Sequence, residues 1–201
     1  DIIAMTFGQP TALFPAIGAV LLGGGAITTG VLTAAVAAGA FLSSLFSGPV
    51  GRVRRQGLGI ERAIQVYGLS IGAFGCVLLA ASLGWMRPDL VDESHAAVGL
   101  IVLAAIVLAV SGAADNVSAI YRSTMMQAAV PDAMRGRLQG IFIVVVAGGP
   151  RVGALYAGTL ATVAALWVPP LFGGILILAL VGTLVRLSPR FRQYDALNPE
   201  P

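Results

Sequence analysis

The 201-residue chain is 57% hydrophobic and 10% charged, against about 25% charged in a typical soluble domain, and its mean hydropathy of +0.91 leaves no room for a separate soluble domain. A net charge of +3 and a pI of about 9.6 could suggest nucleic acid. The basic residues, all arginine, cluster at loop ends with no aromatic interleaving and no long basic stripe, so no nucleic-acid interface is expected.

A helix needs about 20 residues to cross roughly 30 Å of hydrocarbon, and six apolar stretches of that order occur, at about 2–22, 26–47, 63–85, 97–121, 138–163 and 167–187. They predict an all-α polytopic membrane protein, with residues 1–188 forming a six-helix bundle and 189–201, polar and proline-rich, a tail expected to be disordered. The chain opens on Asp1 without an initiator Met, a basic n-region or a small-residue cleavage site, so the first stretch is not a signal peptide. The numbering is expected to begin partway through a longer protein.

The first helix, IIAMTFGQPTALFPAIGAVLL, carries Pro10 and Pro15, which remove backbone hydrogen bonds and bend it. Such bends are tolerated where neighbours or a cavity satisfy the freed carbonyls. Gly23-Gly24-Gly25 then reverses the chain without a charge. The second helix is rich in Ala, Gly, Thr and Ser, small residues that let helices approach closely.

Arg52, Arg54, Arg55 and Arg62 follow the second helix, Arg122, Arg135 and Arg137 the fourth, and Arg186, Arg190 and Arg192 the sixth. The alternate breaks carry only Arg87, outnumbered by Asp89, Asp92 and Glu93. Basic residues are retained on the cytoplasmic side, so the first helix is expected to run outward and the tail to lie inside the cell. Trp85 and Trp167 fall at the predicted outer ends, where indole rings favour the interface, and Pro169-Pro170 opens the sixth helix where a missing N–H is least harmful.

Helix three carries Gly68 and Gly72, and helix five Gly149 and Gly153, at GxxxG spacing; plain helix packing is their simplest reading. Cys76 is the single cysteine and His95 the single histidine, the latter beside Ser94 in an outer loop, so neither a disulfide nor metal-ligand spacing is available. No cofactor motif is present. An intramembrane hydrolase would need a nucleophile and a base within reach; there is no GxSxG and the histidine is in a loop, so no enzyme is expected.

Two charges are out of place in hydrocarbon. Arg151, in AGGPRVGAL, lies about 13 residues into the fifth helix, roughly 20 Å deep at 1.5 Å per residue. An arginine there costs about 2.5–3.5 kcal/mol at least, so it should face the protein interior, water or an acidic partner. Asp115, in SGAADNVSAIYRS, lies toward the cytoplasmic half of the fourth helix beside Asn116, with Arg122 seven residues on and hence on the same face. Helices four and five follow one another as antiparallel neighbours, so Asp115 is a candidate partner for Arg151. The group could respond to protons or substrate in a water-filled cavity; a structural ion pair or a snorkelling Arg122 is the simpler alternative.

The stretch ADNVSAIYRSTMMQAAVPDAMRGRLQGI resembles the junction between helices 10 and 11 of major facilitator superfamily transporters, closest to the bacterial branch of enterobactin-type siderophore exporters and some drug-efflux proteins. MTFGQPTALFPAI resembles the seventh helix of that branch, GPVGRVRRQG its short basic loop between helices 8 and 9, and RFRQ its tail. The more specific part is the Pro131-Asp132…Arg135-Gly136-Arg137 loop, with Gln127 before it and Gly140 after. The basic loop, with Gly48, Gly51, Arg52, Arg54 and Arg55, departs from the family pattern because Gly51 is followed by Arg52 where an acidic residue is usual. The acid–base latch associated with that motif is therefore not expected here.

The resemblance implies the C-terminal six-helix half of a twelve-helix transporter in the inner membrane, working by alternating access with an N-terminal half of six helices. It implies proton-driven export of siderophores or amphipathic drugs through a buried carboxylate, for which Asp115 is the acidic candidate within a span. The first and fourth helices of each half line the cavity in this family, which by position assigns Gln9, Pro10 and Pro15, and Asp115 with Asn116, to its wall. A self-contained six-helix channel or a structural membrane subunit is the alternative.

Overall fold

The computed structural model describes residues 2–50, 55–84, 96–129 and 132–187. Among them are six helices long and apolar enough to cross a membrane, and no strand. We label them α1 (Ile2–Leu21), α2 (Gly25–Leu45), α3 (Gln56–Ser82), α4 (Val98–Ala129), α5 (Asp132–Val163) and α6 (Val168–Leu187), with one extra helical turn at Ser47–Val50. The chain is thus a multi-pass membrane protein by length and composition of its helices. The expected tail (189–201), Trp85 and His95 lie outside the described residues.

Three helices are longer than their apolar runs suggest. α3 begins at Gln56 rather than near 63, α4 continues to Ala129 rather than 121, and α5 begins at Asp132 rather than 138. Hydropathy measures the hydrocarbon thickness, whereas a helix continues through polar residues until its backbone is broken. Asp132, Arg135, Gly136 and Arg137 accordingly lie in the first turns of α5 and not in a loop.

α1 is not one bent helix. An α-helical piece, Ile2–Phe7, stops at Gly8–Gln9, and the chain resumes as a 3₁₀ turn at Pro10–Leu13, a short α segment at Phe14–Ala16 and a π turn at Ile17–Leu21. Pro10 occupies the first position of the 3₁₀ turn, where its absent N–H is harmless. At the far end Gly23, Gly24 and Gly25 all adopt positive φ (74°, 74° and 50°), a conformation natural to glycine, and reverse the chain into α2.

Helix packing follows chain order only in part. α2 lies along α4, α3 lies along both α4 and α6, and α1 lies along α5 with further contacts to α2 and α6, while α5 also touches α6. Advancing every helix by three positions maps α2–α4 onto α5–α1 and α3–α4 onto α6–α1, and returns α3–α6 to itself, whereas the α1–α2 and α5–α6 contacts have no such counterpart among the described residues. The two three-helix units therefore share these main pairings, and an odd number of crossings gives them opposite orientations in the membrane.

Glycines set the closest approaches. A Cβ at Gly39 of α2 would overlap the Ala109 carbonyl, and one at Gly112 of α4 would overlap the Val36 carbonyl. Gly68 and Gly72 of α3 face Ile177 and Gly174 of α6, and Gly149 and Gly153 of α5 lie against Met5 and Thr6 of α1. Both GxxxG pairs are thus packing surfaces. Two buried cores result. One gathers Phe14, Ile17, Leu32, Phe74 and Leu108 around the glycine turn; the other gathers Ile60, Ile64, Tyr67, Ile71 and Ile177 toward the opposite end.

Gly112→Val should force α2 and α4 apart and lower stability by ~1–3 kcal/mol, as overpacking of a close contact does. Gly182→Val on α6, where nothing lies within 4 Å, should change stability in mixed micelles by less than ~0.5 kcal/mol.

Candidate functional site

The antiparallel run of the helices brings the starts of α1, α3 and α5 together with the ends of α2, α4 and α6, and this end carries Arg55, Arg62, Arg122, Arg135, Arg137 and Arg186. A cavity of about 610 Å³ opens here, within the ~300–1,000 Å³ range of small-molecule sites. Ile60 and Ile64 of α3, Met125 and Met126 of α4, Phe142 of α5 and Val181 of α6 give it apolar walls, while Arg122 and Glu61 supply charge. Met side chains adapt to irregular ligands because they are unbranched and polarisable.

Behind this wall Arg122 is paired with Asp115, Nη2 to Oδ1, at 3.7 Å. The seven-residue spacing places both on one face of α4, as expected from the sequence. The arginine side chain is 13% exposed and the aspartate 37%, so the guanidinium is mostly withdrawn while the carboxylate keeps an open edge. Loss of the carboxylate would leave the withdrawn guanidinium without its counter-charge, which is costly.

Asn116, next along α4, donates from Nδ2 to the hydroxyls of Ser43 (2.9 Å) and Ser44 (3.0 Å) on α2. Its place is at the α2–α4 seam, where it ties the two helices together. Such bonds hold where no water competes. The break in α1 is satisfied from α3: the buried Tyr67 hydroxyl donates to the Gly8 carbonyl. Gln9 donates to the Met5 sulfur at 3.7 Å and accepts from Thr11 at 3.4 Å. Pro10 is buried and Pro15 exposed.

Several expectations need correction. α4 and α5 do not pack along each other; they face one another only across the cavity at the arginine-bearing end. Asp115 consequently pairs with Arg122 and not with Arg151. Arg151 itself is exposed, two residues from Gly153 and hence about 200° around the helix from the buried Gly153–Ala157 strip. It does not point into this bundle. Among the loop positions, Gly48 and Arg55 are exposed, Arg135 donates to the Gln127 carbonyl at 3.2 Å, and Gly136 and Arg137 are exposed on α5. Gly51, Arg52, Arg54 and Pro131 lie outside the described residues, as does the side chain of Asp132.

Asp115 is not the only carboxylate within a span. Glu61, 8% exposed, lies inside α3 and accepts from Gln65 at 3.3 Å. A hydropathy window starting near 63 excludes it, because Glu61 and Arg62 lower the local mean. The signal that would have found it is spacing: Gly57, Glu61, Ile64, Gly68 and Ile71 continue one buried face at steps of three and four. Tyr67 was missed for a different reason, since its partner is a backbone carbonyl 59 residues away.

Comparison of the chain with protein-family models, with curated proteins and with solved structures finds no match. What fold and site define is a six-helix membrane bundle with an amphipathic cavity at its arginine-bearing end.

Tyr67→Phe removes the hydroxyl that satisfies Gly8 and should cost ~1–3 kcal/mol, the penalty of a buried acceptor left unmet. Amide exchange at Gly8–Leu13 should rise in the same variant; unchanged exchange there would mean that the break is held without Tyr67.

Proposed function

We propose that this chain is the C-terminal six-helix half of a secondary transporter of the major facilitator type, an exporter of siderophores or amphipathic drugs driven by protons. The observation that carries the reading is that the α2–α4, α3–α4 and α3–α6 pairings map onto observed pairings when every helix advances by three. Inverted three-helix repeats within a six-helix half are the architecture of that superfamily, and substrate sites in such folds form at the repeat interface from discontinuous helices. The broken α1, the amphipathic cavity and the charged pair on α4 agree with it.

The exposed faces support a missing partner. α2 and α5 occupy equivalent places in the two repeats, and they are the least covered helices. α2 buries only Thr28, Leu32 and Gly39, and the described part of α5 only Gly153 and Ala157. The outer faces bear Gly30 on α2 and Gly140, Gly148 and Gly158 on α5, with nothing within 4 Å. Small residues of this kind serve close helix–helix contact. In this reading the N-terminal half covers these faces and Arg151 finds its counter-charge or water between the halves. The arginine-bearing end faces the cytoplasm of a cell whose inner membrane holds the protein. Protonation of Asp115 would release Arg122 and alter the polarity behind the cavity wall, which couples proton entry to substrate exchange.

Efflux of a catecholate siderophore or a fluorescent drug from cells expressing the full-length protein should collapse on addition of a proton uncoupler. Asp115→Asn should abolish the uncoupler-sensitive part at normal membrane abundance, and Arg151→Ala should reduce it. Efflux indifferent to the uncoupler and to both substitutions would sink the reading in favour of a channel or structural subunit.

A further inference from the structure

A second, separate groove of about 590 Å³ runs on the outside of the bundle between α3 and α4. Arg55, just before α3, and Arg62 on α3 stand at its end, and small residues, Gly59 and Ala63 on α3 and Ala113 on α4, form much of its floor. Tyr121 lies over Gly59, where a Cβ would come 2.7 Å from the ring; the missing side chain is what lets the ring settle onto α3. Beyond the arginines the groove is apolar, through Val66, Val110 and Val117. Its rim faces outward, with Val66 43% and Val110 45% exposed.

Dimensions and charge select an occupant. Eleven helical steps separate Val110 from Tyr121, so the groove extends about 17 Å along α4, close to one leaflet of a hydrocarbon core of about 30 Å. Among the described residues neither Arg55 nor Arg62 is paired with a carboxylate, and both are exposed. Arginine binds phosphate through its planar fork of donors, and the first turn of α3, beginning at Gln56, adds the positive pole of a helix at the same level. A membrane protein meets at this depth one abundant molecule with a phosphate at the surface and an apolar chain below it.

We infer that the α3–α4 groove binds an anionic phospholipid, its phosphate held between Arg55 and Arg62 and one acyl chain lying along Val66, Val110 and Val117. The site requires only that the helices span a membrane; it stands whether or not the chain is part of a transporter. Lipid here would also brace the α3–α4 seam that backs Asp115 and Arg122.

Titration of the delipidated full-length protein with phosphatidylglycerol or phosphatidylcholine, followed by native mass spectrometry, tests it. Phosphatidylglycerol should bind in preference. The double substitution Arg55→Gln/Arg62→Gln should weaken it about tenfold or more, in line with the contribution of basic residues near anionic lipid, while Arg55→Lys/Arg62→Lys should retain most of it. Ala113→Phe, which fills the groove with both arginines in place, should also weaken binding severalfold. Equal binding of the two lipids would overturn the inference, as would Ala113→Phe leaving phosphatidylglycerol binding unchanged, which would make the arginines part of a diffuse basic belt.

Discussion

The fold depends on backbone carbonyls that the first helix cannot satisfy by itself. Pro10 offers no N–H, and the chain leaves α-helical geometry at Gly8–Gln9, in a medium where each unmet polar group costs several kcal/mol. The surrounding helices are shaped to receive this segment. Gly153 of α5 would, with a Cβ, lie 2.6 Å from the Met5 carbonyl, and a Cβ at Gly173 of α6 would overlap the Phe7 carbonyl. Tyr67 of α3 donates to Gly8, and Thr29 of α2 reaches the Phe14 carbonyl at 3.4 Å. Edge-on ring contacts, Phe7 with Tyr156 at 5.2 Å and Phe14 with Phe74 at 6.0 Å, hold the two pieces of α1 to α5 and α3. α1 is thereby the element that ties the rest of the bundle together.

The same economy governs the other seams. Association of helices in lipid gains little from hydrophobicity, since the tails are as apolar as the side chains they replace. Close contact and hydrogen bonds must do it. Gly39 against Ala109, Gly112 against Val36, and Asn116 reaching Ser43 and Ser44 give α2–α4 both. α3–α6 is drawn close through Gly68, Gly75 and Gly174. Because these pairings join the two three-helix units, each unit is completed by the other and neither has a full core of its own.

Charge is confined in a comparable way. Asp115 and Arg122 neutralise one another along α4, and Glu61 and Arg122 border the same cavity from different helices. Glu61 and Arg122 on the cavity wall, with Asp115 behind Arg122, form a group whose balance a proton or a charged ligand can alter. Arg151 belongs to another surface. It stands on the uncovered face of α5, among glycines with open space around them, and an arginine at that depth requires water or a protein partner.

Read alone, the sequence determined the number of crossings, their alternating direction, the glycine turn at Gly23–Gly25 and the Asp115–Arg122 face, because each follows from a local apolar run or a fixed helical spacing. It also located the weakness of α1, through Pro10. The tertiary structure alone decided what that weakness meets, since Tyr67 and Gly153 approach it from helices distant in the chain. Helix ends were misplaced for a physical reason: hydropathy reports where hydrocarbon ends, not where hydrogen bonding does, and so Glu61 stayed hidden. The expected pairing of Asp115 with Arg151 failed on adjacency. Chain order makes α4 and α5 consecutive, but close packing at Gly39, Gly112 and Gly153 draws α4 to α2 and α5 to α1, and complementary surfaces, not connectivity, choose neighbours in a membrane.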